Sequence, residues 1–506
     1  MMKKDFHICF TSDTHGYLFP TDYTGGEEKP MGLFKLGAAF HKDGNTLILD
    51  GGDTIQGSPF TNFTHRMEAD CHPIARAMNM IGYDYVTLGN HDFNYGLSHL
   101  HQYLSELDAV CLCANIRDKA GKLPILPYAI HTLENGLRIG ITGICTHYIT
   151  IWEKKETLDQ LIVEEPIPAA KRALDAMKGQ IDISVCLYHG GFECDLKTGK
   201  RLTDSQENQA WQLCQEGGFD IVLTGHQHMP VDQLRIGGTL ALQPAYRAVH
   251  YGRVDCAWEN GVITASSRLC PPADHPLPEP AAALAAFEAA VQQWLDTPKG
   301  HLDRPLPAED HLKMASQGCL LANFINTVQL DASGAMLSAT SMGNEIKGMN
   351  RDVTIRDVVS SYIYSNTLVL LEMTGEQLKR YTERTASYFT LKDGMLSVSD
   401  DFLKPKVEHY NYDYFLGMDY TIDVRRPVGN RVTSMKIDGK EIAPEDKITI
   451  CVNNYRASGT GGYEMVRQAR VIREIQTDVS ELIIAYIENH PDIQVNPHRS
   501  LHLITA

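Results

Sequence analysis

Five short polar stretches in the first half of the chain hold the residues best suited to bind metal ions. They are Asp13-Thr14-His15, Gly52-Asp53, Gly89-Asn90-His91-Asp92, His189-Gly190-Gly191 and Gly225-His226-Gln227-His228. Between them they offer carboxylates, imidazoles and amide oxygens, and no thiolate. That donor set suits Mn²⁺, Fe²⁺, Co²⁺, Zn²⁺ or Mg²⁺ with open coordination positions, rather than a closed structural zinc site. The neighbouring glycines let backbone and ligand approach closely. One Asp-x-His or Gly-His-Gln-His alone reads as a turn or a solvated loop. The weight comes from all five occurring in this order, each directly after an apolar run.

Those runs are the elements that must position the donors. They cover 7–10, 46–49, 85–88, 183–187 and 221–223, and each stops abruptly at Gly, Asp, Asn or His. Short runs rich in β-branched residues, separated by helix-length segments such as 73–81 and 97–107, predict strands of an α/β layered sheet with helices outside. In open α/β sheets, ligands collect beyond the carboxyl ends of the strands, so the five loops are expected to converge on one crevice.

At 506 residues the chain is too long for one ordinary core. Residues 270–280 carry five prolines and read as a stiff, exposed break. An Ala-rich helix is expected over 281–295, and Leu320, Leu321, Phe324, Ile325 and Val328 are spaced to share one face of a further helix. Beyond them the chain mixes helix-like and strand-like stretches again, with many aromatics and a hairpin turn at Lys436-Ile437-Asp438-Gly439-Lys440. The expected division is a metal-binding domain over 1–270, a break with linker helices over 271–330, and a smaller α/β domain over 331–506.

The formal charge of −17 argues against extended nucleic-acid partners, while a small phosphorylated ligand stays open because bound metals reverse the local field. Met1-Met2-Lys3-Lys4 leads straight into the first strand-like run, without the apolar stretch of a secretion signal, and no window suggests a membrane span. Twelve cysteines in such a chain point to reduced thiols and the cytoplasm, with Cys111-x-Cys113 read as buried residues of a strand. Oligomeric state is left open.

The five motifs, in this order, resemble those of the calcineurin-like metallophosphoesterases. The longer strings Gly51-Gly52-Asp53-Thr54-Ile55-Gln56-Gly57-Ser58-Pro59 and Gly89-Asn90-His91-Asp92-Phe93-Asn94-Tyr95-Gly96-Leu97 are similar to the 5′-nucleotidase family. Within it they look most like the branch with 2′,3′-cyclic-nucleotide 2′-phosphodiesterase and 3′-nucleotidase activity. Asn453-Asn454-Tyr455-Arg456-Ala457-Ser458-Gly459 resembles the family's substrate-binding C-terminal domain, so the resemblance covers nearly the whole chain.

The resemblance implies two divalent ions about 3.5–4 Å apart, activating a shared water for in-line attack on phosphorus. It assigns Asp13, His15 and His228 to one ion, Asn90, His189 and His226 to the other, and Asp53 to both. His91 would face the phosphate as the catalytic side chain that is not a ligand. Relatives often place an aspartate three residues later; here Asn94 holds that position and can orient the imidazole without stabilising its cation. Tyr455 matches the base-stacking position, Phe415 is the expected opposing face, and Tyr412 is a substitute for it. The family's Gly-Gly-x-Arg segment corresponds to Ser341-Met342-Gly343-Asn344-Glu345-Ile346-Lys347-Gly348, which has no arginine. Asn344 and Lys347 are read as exposed loop residues, with a share in the missing arginine's role as the alternative, and plain 5′-mononucleotide specificity is in doubt. The family's C-terminal domain turns against the N-terminal one to deliver substrate, a motion that the Pro-rich break would permit. The implied reaction is hydrolysis of nucleotide phosphate esters. The alternatives are a nucleotide-sugar or dinucleotide pyrophosphatase and a non-catalytic nucleotide-binding protein.

Overall fold

All five apolar runs that precede the candidate ligands form strands, Lys4–Thr11, Thr46–Asp50, Tyr85–Val86, Ile183–His189 and Ile221–Thr224. The structure, a computed structural model, describes residues 3–67, 71–202, 206–364, 366–404 and 407–505, so Met1 and Met2 of the N-terminal reading lie outside the described residues.

The first three strands run parallel side by side in a seven-stranded sheet, and the other two are parallel neighbours in a six-stranded sheet. Alternate side chains of Lys4–Thr11, namely Phe6, Ile8 and Phe10, enter one core with Leu47, Leu49, Ile139, Ile141, Val185, Leu187, Leu223 and Leu242. Each such side chain, fully buried, contributes about 1.5–3 kcal/mol. The opposite faces of the second sheet are covered as well. Cys186, Tyr188 and Val222 pack with Ile167 and Ala170 of helix Pro166–Met177 and Leu213 of helix Ala210–Glu216. Burial on both faces explains why these strands read as unbroken apolar runs.

Two compact units divide the chain, one holding residues 26–292 with the stretch up to Asp22, the other holding Tyr23–Gly25 and Gln293–Ala506. Their boundary falls inside a single helix, Pro278–Asp296, rather than in the Pro-rich run. That run is tied down: Ala273 N donates to Lys35 O and Leu277 N to Phe34 O, both at 3.0 Å. Helix Leu320–Ser333, expected in a linker, packs its buried Leu321, Phe324, Ile325 and Val328 within the second unit.

The second unit is built on a five-stranded sheet in the order Asp413–Leu416, Leu337–Ser341, Lys447–Asn453, Leu368–Thr374, Arg470–Ile475. The expected hairpin joins Val432–Ile437 to Lys440–Glu441. Asp438 and Gly439 have φ of 50° and 77°, the signs that a two-residue type I′ turn requires. All twelve cysteines are unpaired, and Cys111 and Cys113 are buried. Among the described residues no helix is long and apolar enough to cross a membrane.

Candidate metal centre

The loops that leave the five strands bring their donors together as two clusters. Asp13, His15 and His228 form one, Asp53, His189 and His226 the other, with the ligand atoms of each within 4.8 Å of one another. The backbone bends sharply to do so. Asp13, His15, Asp53, His226 and His228 have φ of 55°, 50°, 55°, 75° and 56°. Left-handed conformations in non-glycine residues are costly and persist where the surroundings over-determine them, which happens chiefly at functional sites. Gly52 and Gly89 make the turns possible. A side chain on Gly52 would run into the backbone of Gly89, and one on Gly89 into Asp53.

Neighbouring groups fix each donor. His15 Nδ1 pairs with Gln56 O at 2.8 Å and His189 Nδ1 with Gly51 O at 2.7 Å, so in the neutral rings that a metal requires the Nε2 lone pairs face inward. Asp13 accepts from Ser12 Oγ at 2.6 Å and from His226 N at 2.9 Å. Asp53 Oδ1 accepts from His91 N at 2.7 Å. Asp92 accepts from four backbone N–H groups, those of Asp53, Thr54, Ile55 and Gly89, at 2.8–3.1 Å. Its carboxylate thus ties the Gly-Asp loop to the Gly-Asn-His-Asp loop and takes no part in either cluster.

Three observations fit these residues to cations. Asp53 Oδ2, His189 Nε2 and Asn90 Oδ1 are buried without a hydrogen-bond partner, a costly state for polar atoms unless something else satisfies them. Asp53 Oδ2 and His189 Nε2 stand 3.1 Å apart, yet in no hydrogen-bonding orientation. His15 Nε2 and His228 Nε2 likewise face each other at 3.0 Å. Donor atoms crowded tip to tip are what ligands of a shared ion look like. The charges reflect the crowding. Burial works against ionising Asp53, but the imidazoles of His189, His91 and His15 together hold its carboxyl well below the usual range. Burial likewise disfavours the His189 cation, and Asp53 and Asp13 overcome it, raising that group to about 10.

His91 lies at the edge of both clusters, its ring 5.4 Å from that of His15. Asn94 Nδ2 sits 2.9 Å from His91 Nδ1. With the amide donating, Nδ1 accepts and Nε2 carries the proton that can be offered to a bound oxyanion. Burial keeps the ring's pKa below its ordinary value.

The second unit corrects the aromatic pair. Phe415 is 2% exposed, in the strand Asp413–Leu416, with its ring against Tyr381 at 5.0 Å and Tyr420 at 5.5 Å. It has no face to offer a ligand, and Tyr412 is equally buried. The aromatic beside half-buried Tyr455 is Tyr410, also half-buried, with ring centroids 6.2 Å apart. Tyr410 belongs to a 3-10 turn, His409–Asn411, just before that strand. Asn344 is not idle either: its amide donates to Val407 O at 2.8 Å and accepts from His409 N at 3.0 Å, clamping the approach to Tyr410. Lys347 Nζ donates to Thr24 O at 3.3 Å.

A two-cluster nitrogen and oxygen centre at the strand ends of a layered sheet defines a metal-dependent phosphoric ester hydrolase. Residues 6–230 match the calcineurin-like phosphoesterase family, and residues 300–468 match the 5′-nucleotidase C-terminal domain. A Staphylococcus aureus structure provisionally named a 5′-nucleotidase, solved with alpha-ketoglutarate, is 32% identical with a TM-score of 0.74, covering 99% of this chain and 100% of its own. A 2′,3′-cyclic-nucleotide 2′-phosphodiesterase/3′-nucleotidase of Yersinia enterocolitica is 26% identical over 90% of this chain and 82% of its own length. The trifunctional nucleotide phosphoesterase YfkN of Bacillus subtilis is 25% identical over 95% of this chain, which spans only 37% of that longer protein. The chain belongs to the calcineurin-like phosphoesterases that carry a 5′-nucleotidase C-terminal domain, and it uses two divalent metal ions.

Proposed function

We propose that this enzyme hydrolyses phosphate esters of nucleotides, first among them 2′,3′-cyclic nucleotides, opened by one water to 3′-nucleotides, and 3′-nucleotides, cleaved by a second to nucleoside and phosphate. The observation that carries the reading is the pair of donor clusters, with Asp53 Oδ2 unpartnered within one of them and Asn90 Oδ1 buried without a partner next to His91, whose backbone N–H donates to Asp53. In this reading Asp13, His15 and His228 hold one ion, Asn90, His189 and His226 hold the other, and Asp53 serves both. Two divalent ions so held supply positive charge for the phosphoryl oxygens and lower the pKa of a water aimed at phosphorus. His91, kept as a neutral Nε2–H donor by Asn94, supports the charge that grows on the phosphoryl or leaving oxygen. The absence of the arginine segment, and the likeness to cyclic phosphodiesterases, support the cyclic and 3′-esters over a plain 5′-nucleotide. The test is release of phosphate and nucleoside from 2′,3′-cyclic AMP, 3′-AMP, 5′-AMP and a nucleotide sugar, with Mn²⁺ and with excess EDTA. Metal-dependent turnover fastest on the first two is expected. Turnover of the nucleotide sugar alone, with nucleoside monophosphate as product, would replace this reading by a pyrophosphatase.

Tyr410 and Tyr455 are proposed to hold the base. Stacking contributes about 1–3 kcal/mol per base, so Tyr410→Ala or Tyr455→Ala should raise KM about 5- to 150-fold with little change in kcat. Phe415→Ala should instead lower Tm, by the roughly 3–5 kcal/mol of a core aromatic deletion. Steady-state kinetics and thermal melts of the three variants separate the roles. A Tyr410→Ala enzyme with unchanged KM would return that residue to the surface.

A further inference from the structure

Glu207 belongs to none of the five metal motifs, yet its Oε1 lies 2.7 Å from Nε2 of His226. The segment around it is laced to the strand that delivers His189 and to the turn beyond. Asn208 Oδ1 accepts from Gly191 N at 2.6 Å, Gln209 N donates to Tyr188 Oη at 3.1 Å, and Ala210 N donates to Gly191 O at 2.9 Å. Glu207 O accepts from Thr146 Oγ1 at 2.8 Å. The carboxylate therefore sits on a fixed support. The His226 ring is held from a second side by Trp152, stacked on its face with centroids 5.6 Å apart.

A neutral imidazole carries one N–H and one lone pair, and a carboxylate can only accept. The contact therefore places the proton on Nε2 and the lone pair on Nδ1. Were the tautomer reversed, a lone pair would oppose the carboxylate and an N–H would replace the lone pair on Nδ1. We propose that Glu207 is a positioning residue, fixing the tautomer and ring orientation of His226 so that Nδ1 serves the second metal position. This rests on the reading of His226 as a ligand. Carboxylates in this relation to a ligating histidine typically govern metal affinity by 10- to 100-fold.

The experiment is calorimetric titration of EDTA-stripped protein with Mn²⁺, comparing wild type with Glu207→Ala, Glu207→Gln and His226→Ala. Wild type should take up two ions. Glu207→Ala should bind one normally and the other about 10- to 100-fold more weakly. Glu207→Gln, whose amide oxygen still accepts from Nε2–H, should recover most of that loss. In parallel, ¹⁵N spectra of histidine-labelled apoprotein should show an Nε2–H tautomer that disappears in Glu207→Ala and His226→Ala and survives in Glu207→Gln. Glu207→Leu, which fills the space without accepting, takes the place of an alanine variant that fails to fold. Wild-type affinity for both ions in Glu207→Ala, or equal losses in the Ala and Gln variants, overturns the proposal. Two normal ions in His226→Ala would instead overturn the ligand reading beneath it.

Discussion

Asp53→Asn is expected to lower kcat by at least about a thousandfold with saturating Mn²⁺, while leaving the fold intact. That magnitude is at the upper end of what removing one preorganised electrostatic contact costs, and in the proposed reading Asp53 would serve two cations at once. The asparagine keeps the size and one carbonyl oxygen, so the bond that Oδ1 accepts from His91 N at 2.7 Å can survive. The second atom changes character. Oδ2, now 3.1 Å from His189 Nε2 with no hydrogen-bond partner, would become an amide nitrogen with protons where a lone pair is needed. The two cations that the donor clusters would hold repel each other, and a carboxylate shared between them would offset that repulsion. Bound-metal analysis should therefore fall from two ions to one or none, in step with kcat. Thermal stability should fall modestly without loss of the fold, because the imidazoles that hold the Asp53 carboxyl low lose the charge they face. Retention of both ions and of turnover would take Asp53 out of the shared position.

The candidate centre was legible in the sequence because its donors end strands. A run such as 221–223 stops being apolar where the chain reaches the end of its strand, and Gly225-His226-Gln227-His228 follows directly. What the sequence could not carry is contact made at a distance. Glu207 lies in a polar stretch that reads as loop, and only the folding of 206–210 against Gly191 and Tyr188 brings it to His226. Nothing in the residue type of Asp92 separates a ligand from a brace, and the difference lies in the four backbone N–H groups from two loops that its carboxylate gathers. The aromatics failed for a different reason. Tyr412, Tyr414 and Phe415 all lie in or beside the strand Asp413–Leu416, which is covered on both faces, so the alternation that would have marked an outward ring is missing. Tyr410 stands just outside it, in a turn with no apolar period to flag it. The Pro-rich run looked like a hinge by composition, but its backbone bonds to Phe34 and Lys35 commit it to the first unit, and the boundary moves into the helix that follows.

Arg456→Met should destabilise the second unit by about 3–5 kcal/mol, the cost of leaving one buried charge without its partner. For a unit of this size that is a fall in its Tm of roughly 6–20 °C. Arg456 and Asp413 are each 2% exposed and meet through two contacts, Nε to Oδ2 at 2.5 Å and Nη2 to Oδ1 at 3.1 Å. Both ends are further engaged. Tyr381 Oη donates to Asp413 Oδ2 at 2.6 Å, Arg456 Nη1 donates to Thr460 O at 2.9 Å, and Nη2 to Tyr410 O at 3.2 Å. The guanidinium also lies 3.7 Å from the centroid of the Tyr463 ring. One ion pair thus joins the turn bearing Tyr410 to the short helix Asn454–Ala457 bearing Tyr455, with helix Gly375–Ala386 behind them through Tyr381. Asp413→Asn should cost a similar amount, since it strands the guanidinium instead. Replacing both, as in Arg456→Met with Asp413→Leu, should recover much of the stability, because well-packed apolar groups do as well as a buried pair. It should not recover substrate affinity. Without Arg456, Tyr410 O and Thr460 O lose the donor they share, so KM for the nucleotide should stay raised in the double variant while Tm returns. Melting curves with KM values for the two single variants and the double decide it. A double variant restored in both would reduce the pair to a structural element with no bearing on the base, and one restored in neither would show that the polar network, rather than burial, holds this corner of the unit together.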